Sequence, residues 1–480
     1  MATNPTAEPD PNLVTWNGRD DPENPKNWPL ALRWRITGIA SAFNFISPVS
    51  TSMTAPALDT IGTDLQMTHP FERSLGLSIF LLASAISPFI AGSLSEIYGR
   101  RPIVQLFNLI YLVFNTACGF ARTGPQLIAF RFCAGFGGSA ATVIGGGVLG
   151  DVWHAEERGL SVSIYTSITL LGPTLGPLLG GFITQYSSWR WSFWAISIAN
   201  GCIQLVAIFF YRETFPPVLL RRKAQRLRQE TGNAALHVKG EEEPSKAQSF
   251  VSILRTAFSR PFLLLTTQPI IQVFALYIAY CHGLLYLVLT TFAHLWTTRY
   301  HETISISGLN YLALATGYII GTQSCARLTD KLYQHLKTTR GQGIGYPEYR
   351  LPLVVPGSIA ILVGLLWYGW SAEKGVHWII PDLGIAVFAV GLKYTLQSTQ
   401  LYLLDVYPTY AASAGAASMF LRSLAGFTFP LFAPYLYDRL GYGWGNSVLS
   451  LTILLIGLPA PFLLWRYGPT LRKRSLYATG

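Results

Sequence analysis

The chain has 480 residues, half of them hydrophobic and only 12% charged, with a formal net charge of +11. A soluble globular chain carries about 25% charged residues, so this composition argues for an integral membrane protein and against a soluble enzyme. The basic balance is not read as nucleic-acid binding, because in the topology derived below most of the Lys and Arg fall on one side of the membrane.

Residues 1–35 are polar, rich in Pro and Asn, and lack the apolar core of a signal peptide. Beyond them, apolar runs of about 20 residues recur, the length that crosses a bilayer core as a helix. Lipid offers no partner to a bare peptide group, so each run is expected to be helical. The first six spans lie near 36–58, 74–95, 103–121, 127–149, 160–183 and 191–211. The first carries Asn44 and ends beside Asp59. Between the second and third lies "GSLSEIYGRR" (92–101). Gly92 and Gly99 permit a tight turn, and Glu96 can face a helix amino terminus, whose partial positive charge favours a carboxylate. Arg100 and Arg101 can hold acidic groups at that face. Any short loop there carries Arg, but topology alone does not explain the glycines and the carboxylate.

The fourth span holds Arg131 in "RFCAGFGGSA" (131–140). A charge within a span is costly unless paired or hydrated, which makes Arg131 a functional candidate; the alternative is an Arg satisfied by backbone carbonyls. The fifth contains "LLGPTLGPLLGGFI" (170–183). Gly172, Gly176 and Gly180 recur every four residues and share a helix face, so a neighbouring helix can approach closely. Pro173 and Pro177 weaken the hydrogen-bond ladder beside that face, and Gly181 doubles its last glycine. The stretch is expected to be a pliable seam on which two bundles hinge; ordinary close packing is the plainer reading.

Residues 212–260 form the longest hydrophilic interruption, basic first and acidic later, expected as a solvated linker whose first part is a short helix. Six further spans follow near 268–293, 307–328, 351–371, 379–403, 411–436 and 446–466. The seventh carries Tyr277, Tyr280 and His282; the tenth Lys393, Tyr394 and Gln397; Asp405 follows it, and Arg422 lies in the eleventh. No carboxylate lies well inside a span. Polycationic cargo would need carboxylates, because desolvating an unpaired ammonium is expensive, so a neutral or acidic lipophilic substrate is favoured over a polyamine. For Lys393 and Arg422 the alternative is a structural pair or snorkelling to the interface.

"AGSLSEIYGRR" (91–101) and "CARLTDKLYQHLK" (325–337) follow the second span of each set, with Gly92, Leu94 and Glu96 over Ala326, Leu328 and Asp330. Paired halves of this kind are usual in secondary transporters. The chain thus divides into a tail 1–35, a first bundle 36–211, a linker 212–260, a second bundle 261–466 and a tail 467–480. The loops on one side hold only Arg73, Arg122, Arg190, Arg299, Lys374 and Arg439, so the opposite side, with both termini, is expected to be cytoplasmic. The five cysteines are too widely spaced for a metal knuckle, and neither disulfide nor metal is expected. No phosphate-loop, HExxH or GxSxG pattern occurs, so no cofactor, ATP-driven step or enzymatic activity is expected.

These stretches resemble the major facilitator superfamily. "GSLSEIYGRR" is similar to its motif A, with Glu96 where Asp is usual, and the resemblance implies a latch stabilising the outward-facing state. "RFCAGFGGSA" resembles motif B, with Ala134 where Gln is common. The doubled "GP" followed by "GG" is similar to motif C, typical there of antiporters. "DVWHAEERG" (151–159), "SSWRWSFW" (187–194), "RETFPPVLLRRKAQRLR" (212–228), "YPEYRLP" (346–352) and the stretch 410–445 resemble the fungal branch of twelve-span drug:proton antiporters, which includes multidrug, polyamine and secondary-metabolite exporters. The resemblance implies an all-α membrane protein with twelve transmembrane helices in two pseudo-symmetric six-helix bundles, acting as a monomer on a small molecule and on protons. Asp59, Glu96, His282 and Asp405 are then candidates for the coupling proton, with Arg131 tuning a neighbour. Asn44, Tyr277, Tyr280, Tyr394 and Gln397 are candidates for the cavity. An exporter is expected in the plasma membrane, with the vacuolar membrane as the alternative. A polyamine exporter, a nutrient uniporter or importer, and a non-transporting receptor are the other readings.

Overall fold

The computed structural model describes residues 10, 12–18, 20–154, 157–238, 250–342, 345–407, 410–475 and 477. Helix α1 (Leu30–Ser52) starts directly after Pro29, ahead of the expected position 36, and stops short of 58. Pro56 lies in a 3-10 turn, Ala55–Ala57, that separates it from the short α2 (Leu58–Asp64). Then come α3 (Pro70–Tyr98), α4 (Arg100–Gly119), α5 (Gly124–Gly138), α6 (Ala140–Val152), α7 (Arg158–Tyr186) and α8 (Trp189–Phe210). Two helices outside the crossings follow, α9 (Pro216–Thr231) and α10 (Phe250–Thr267), and α10 packs Phe258 and Phe262 on Phe89 of α3 and Phe262 on Phe420. The second set is α11 (Pro269–Thr298), α12 (Ile304–Thr339), α13 (Val354–Lys374), α14 (Ile379–Val406), α15 (Ala411–Ile456) and α16 (Pro459–Arg474).

Among the described residues, ten helical stretches are long and apolar enough to cross a membrane, with α5 and α6 counted as one. The last runs from Ser413 to Arg474, which at 1.5 Å per residue is about three hydrocarbon thicknesses. It folds back at Gly441, whose φ of 69° is left-handed, so it crosses twice. With α1, ten stretches plus one fold-back give twelve crossings. The Glu373 carboxylate holds the turn, accepting from the backbone N–H of Tyr442 (2.7 Å) and Gly443 (3.3 Å).

The crossings form two six-helix bundles, each with its own apolar core. The second is built on α11, α13, α14 and α15 around Phe274, Leu284, Phe388 and Tyr402. The first has smaller clusters, one around Ile36, Phe107 and Ile144 and another around Phe80 and Tyr111. The bundles meet along α3 with α15 and along α7 with α12. The face carrying Leu30 and Arg474 is called the terminal face here, and the other the far face.

On the terminal face the tail lies on α9. Val14 packs with Ala224 and Val238, and a backbone bridge joins Leu13 to His237. Lys223 Nζ donates to Asp21 Oδ2 at 2.8 Å, with both side chains almost fully buried. Burial pushes the Asp21 carboxyl up, but the Lys223 hydrogen bond, the backbone donors of Asn17 and Glu23 and the Lys223 charge outweigh it and hold it at about 2. A depressed folded value means the stabilisation is full above the ordinary value of 3.8 and is lost as pH falls towards 2. Lys223→Ala leaves a buried carboxylate unpaired, which costs about 3–5 kcal/mol. Hydrogen exchange at 12–28 is expected to rise sharply in this variant at pH 7 and to change little at pH 2.

Candidate functional site

At the far face the bundles touch through polar and small residues. Gln185, at the end of α7, accepts from the backbone N–H of Ser305 at 2.8 Å. A side chain on Gly181 would meet the Ile304 carbonyl at 2.8 Å, and one on Gly308 the Pro177 carbonyl at 3.0 Å. Nearby, His294 Nδ1 on α11 and Asp59 Oδ2 on α2 share a hydrogen bond of 2.9 Å, with Arg73 of α3 behind at 3.4 Å. A cavity of 380 Å³ lies between these groups and Asp438 and Tyr442 of α15. Towards mid-membrane α7 and α12 part around 230 Å³ lined by Leu171, Thr174, Tyr318 and Gln323. A further concavity, 590 Å³ between α4 and α8, is an apolar groove on the outer surface, remote from the bundle interface.

The His294 hydrogen bond holds the Asp59 carboxyl below the usual range against burial, helped by the His294 and Arg73 charges. This contribution is full above the ordinary carboxylate value and lost as pH falls through the lowered one. Both side chains are about half exposed, so screening limits the pair to about 0.2–1 kcal/mol. Asp59→Asn is therefore expected to move the far-face equilibrium towards open by no more than about fivefold, read as spin-label distances between Thr60 and Thr298.

At the terminal face α3 and α4 are joined by Gly99 alone, at φ 102°. A carboxylate supports this turn too. Glu213, just after α8, is 5% exposed and accepts from the backbone N–H of Arg100 (2.8 Å), Arg101 (3.1 Å), Thr214 and Phe215. It sits on the amino terminus of α4, where the helix dipole favours negative charge. The Arg100 side chain pairs with Asp151 of α6 (3.2 Å) and Ser95 (2.8 Å), and Arg101 donates to the Ile208 carbonyl at 2.8 Å. Gly92 lies near Val143 of α6. Glu96 is exposed; the carboxylate on a helix amino terminus is Glu213 instead. The second bundle repeats the device: Arg350, ahead of α13, pairs with Asp405 at the end of α14 (3.1 Å) and with Asp330 (3.6 Å). Asp405 thus ties helices together away from mid-membrane.

The glycine seam does not lie between the bundles. Gly172, Gly176 and Gly180 face α1 of their own bundle: a side chain at Gly172 would meet Pro48 Cβ at 2.5 Å, one at Gly176 the Val49 carbonyl at 2.8 Å, and one at Gly180 would overlap the Met53 carbonyl. Pro173 and Pro177 leave α7 continuous. The neighbouring face, through Pro177 and Gly181, meets α12.

Arg131 is fully buried. It donates to the carbonyls of Ser50 (3.0 Å), Gly76 (3.1 Å), Thr51 and Leu77 (both 3.4 Å), and to Thr54 Oγ1 (3.3 Å). The guanidinium lies over the rings of Phe80 and Phe193. It closes the broken end of α1 against α3, the carbonyl-satisfied alternative. Lys393 is half-buried, its stem against Gly321 of α12. His282 and Arg422 come together at the centre of the bundle interface with Tyr286 and Tyr318. The side chains of the two cavity candidates on α11 point elsewhere. Tyr277 is fully buried in the second bundle's core, hydrogen-bonded to Ser358 at 2.5 Å. Tyr280 donates to the Leu449 carbonyl on the far arm of α15. The interface is instead lined by His282 and Tyr286 of that helix. Tyr394 and Gln397 are half-buried on α14. Asn44 is buried and donates to Thr169, with its Oδ1 unpartnered.

Glu213, Asp151 and Glu373 carry no signal of these roles in the sequence. The first two lie in "RETFPP" and "DVWHAEERG", but nothing in those stretches shows that Glu213 reaches the backbone of Arg100 or that Asp151 reaches its side chain.

Residues 40–430 match the model of the Major Facilitator Superfamily. The chain is 50% identical to the efflux pump vrtL of Penicillium aethiopicum, over 99% of this chain and 93% of that one. It is 43% identical to the probable efflux pump mfs2 of Aspergillus flavus, over 88% and 99%. Its fold is similar to the partially occluded inward-open xylose transporter XylE of E. coli, at 14% identity and a TM-score of 0.65, covering 91% and 98%. The family match over residues 40–430 and the 50% identity to vrtL, on a fold of two six-helix bundles, identify the chain as a multi-pass membrane protein that belongs to the major facilitator superfamily.

Proposed function

We propose that this protein is a proton-driven secondary exporter of small lipophilic molecules, such as drugs, toxins or fungal secondary metabolites, working by alternating access. The observation that carries the reading is the 50% identity, over almost the whole chain, to a fungal efflux pump. The two bundles, 36–211 and 261–466, would rock about the α3–α15 and α7–α12 contacts, with the tails 1–35 and 467–480 and the linker 212–260 in the cytoplasm. We read the far-face contact, with Glu96 exposed at the other face, as the half-cycle in which cargo enters from the cytoplasm. Gly92, Glu96, Gly99, Arg100 and Arg101 would form the terminal-face latch of the opposite half-cycle. Asp59 with His294 is the titratable pair best placed to respond to external protons. A monomer in the plasma membrane fits this role.

Inverted vesicles with an imposed pH gradient test the reading. The expected result is gradient-dependent accumulation of lipophilic aromatic compounds that a protonophore abolishes. Accumulation that only follows the compound's own gradient would make the protein a uniporter and overturn the proposal.

A further inference from the structure

Among the described residues, the cationic group at mid-membrane has no counter-ion of its own. Arg422 lies on α15, about 17 Å along the helix from Ala411, and His282 on α11, about 20 Å from Pro269, at 1.5 Å per residue. Both depths are close to the bilayer centre. The groups acting on the Arg422 charge are Tyr286 of α11 and Tyr318 of α12, with no carboxylate among them. Arg422 acts in turn on His282, whose ring is 5.1 Å from that of Tyr286. Arg422 Nε and His282 Nδ1 are both buried without a hydrogen-bond partner, although each residue as a whole is only half-buried. Arg131, by contrast, spends its donors on four carbonyls and a hydroxyl.

Buried polar groups are nearly always satisfied, and a guanidinium cannot shed its proton to become neutral. Mid-membrane charge left unpaired is retained where it is used. The floor above the cluster is small: a side chain on Gly426 would meet Tyr286 at 3.2 Å and Leu81 of the first bundle at 3.1 Å. Tyr318 also lines the cavity between α7 and α12, which connects the cluster to space a ligand can occupy. Aromatic walls and one fixed cation suit a lipophilic body with a single acidic oxygen group, since planar guanidinium donors match a carboxylate.

We propose that Arg422, with His282, Tyr286 and Tyr318, forms a mid-membrane subsite that receives the acidic group of a lipophilic organic acid. The inference rests on the export reading, because it assigns a place to that reading's cargo. It narrows the substrate class from neutral or acidic molecules to acids.

Equilibrium binding to the purified full chain in nanodiscs at pH 7 tests it, with three fluorescent probes of one shape: 9-anthroic acid, 9-anthracenecarboxamide and 9-(aminomethyl)anthracene. The acid is expected to bind roughly tenfold or more tighter than the amide, as a charge-assisted contact supplies, and the amine weakest. Arg422→Gln is expected to bring acid and amide within about twofold of one another, with the amide unchanged. Arg422→Lys keeps a charge and an intermediate preference, and guards against a Gln variant that fails to fold. An acid that binds no tighter than the amide, or not at all, overturns the proposal; so does a folded Arg422→Gln that keeps the full preference. Acid-selective binding without gradient-driven flux would leave the subsite standing and reject export.

Discussion

Arg131→Leu is expected to abolish folded, transport-competent protein. The guanidinium is the donor for the closest carbonyl contacts at Ser50 and Gly76, in the last turn of α1 and in the second turn of α3. No water reaches them, since Arg131 is completely buried. An orphaned buried acceptor costs about 1–3 kcal/mol; Gly76 lies inside α3 and keeps its helical partner, but Ser50 and Thr51 in the last turn of α1 lose their donor, and two such acceptors cost about 2–6 kcal/mol, a large fraction of a typical stability. Lys does not substitute, because a single ammonium cannot span acceptors on two helices as a planar fork does. The check is the monodisperse fraction and thermal midpoint of Arg131→Leu and Arg131→Lys in detergent, with flux beside them. A Leu variant as stable as the parent would show that α1 closes without this residue.

Gly180→Leu is expected to separate α1 from α7. Even a methyl group there overlaps the Met53 carbonyl, and backbone cannot step aside as a side chain does. Overpacking a tight contact costs about 1–3 kcal/mol, and a backbone clash lies at or beyond the top of that range. Gly176→Leu strikes Ser52 and Val49 in the same way. Gly201→Ala on α8 is the control, because an added Cβ there meets nothing within 4 Å. The account expects the order Gly201→Ala, Gly180→Ala, Gly180→Leu in falling yield of folded protein. Equal yields for all three would mean that the α1–α7 seam is not close-packed.

The sequence carried the number of crossings and their pairing into halves, because each is written in runs of hydropathy as long as the bilayer is thick. It also carried the seam on α7, whose four-residue glycine spacing states that some helix comes close. Which helix it is was not legible: one face of α7 meets α1 and the adjacent face meets α12, and both are lined by small residues. Helix α11 shows the same limit. It is apolar on every side, so no polar stripe sets its rotation, and Tyr277 and Tyr280 could not be told from His282 and Tyr286. Glu213 and Glu373 were hidden for another reason. Each holds a helix start far away in sequence, Glu213 at Arg100 and Glu373 at Tyr442. Such contacts exist only once the bundle has closed. The small core under the tail, Val14 on Ala224 and Val238, escaped because three residues from two polar segments make no periodic signal.

The central claim is that the far-face contact between α7 and α12 must open and close in each transport cycle. The direct measurement is flux through Gln185→Cys/Ser305→Cys in proteoliposomes, in a background with Cys133 and Cys202 replaced by Ser, before and after bridging with a short reversible bis-methanethiosulfonate. The account predicts that flux falls to background on bridging and returns with dithiothreitol. Undiminished flux through fully bridged protein would contradict it.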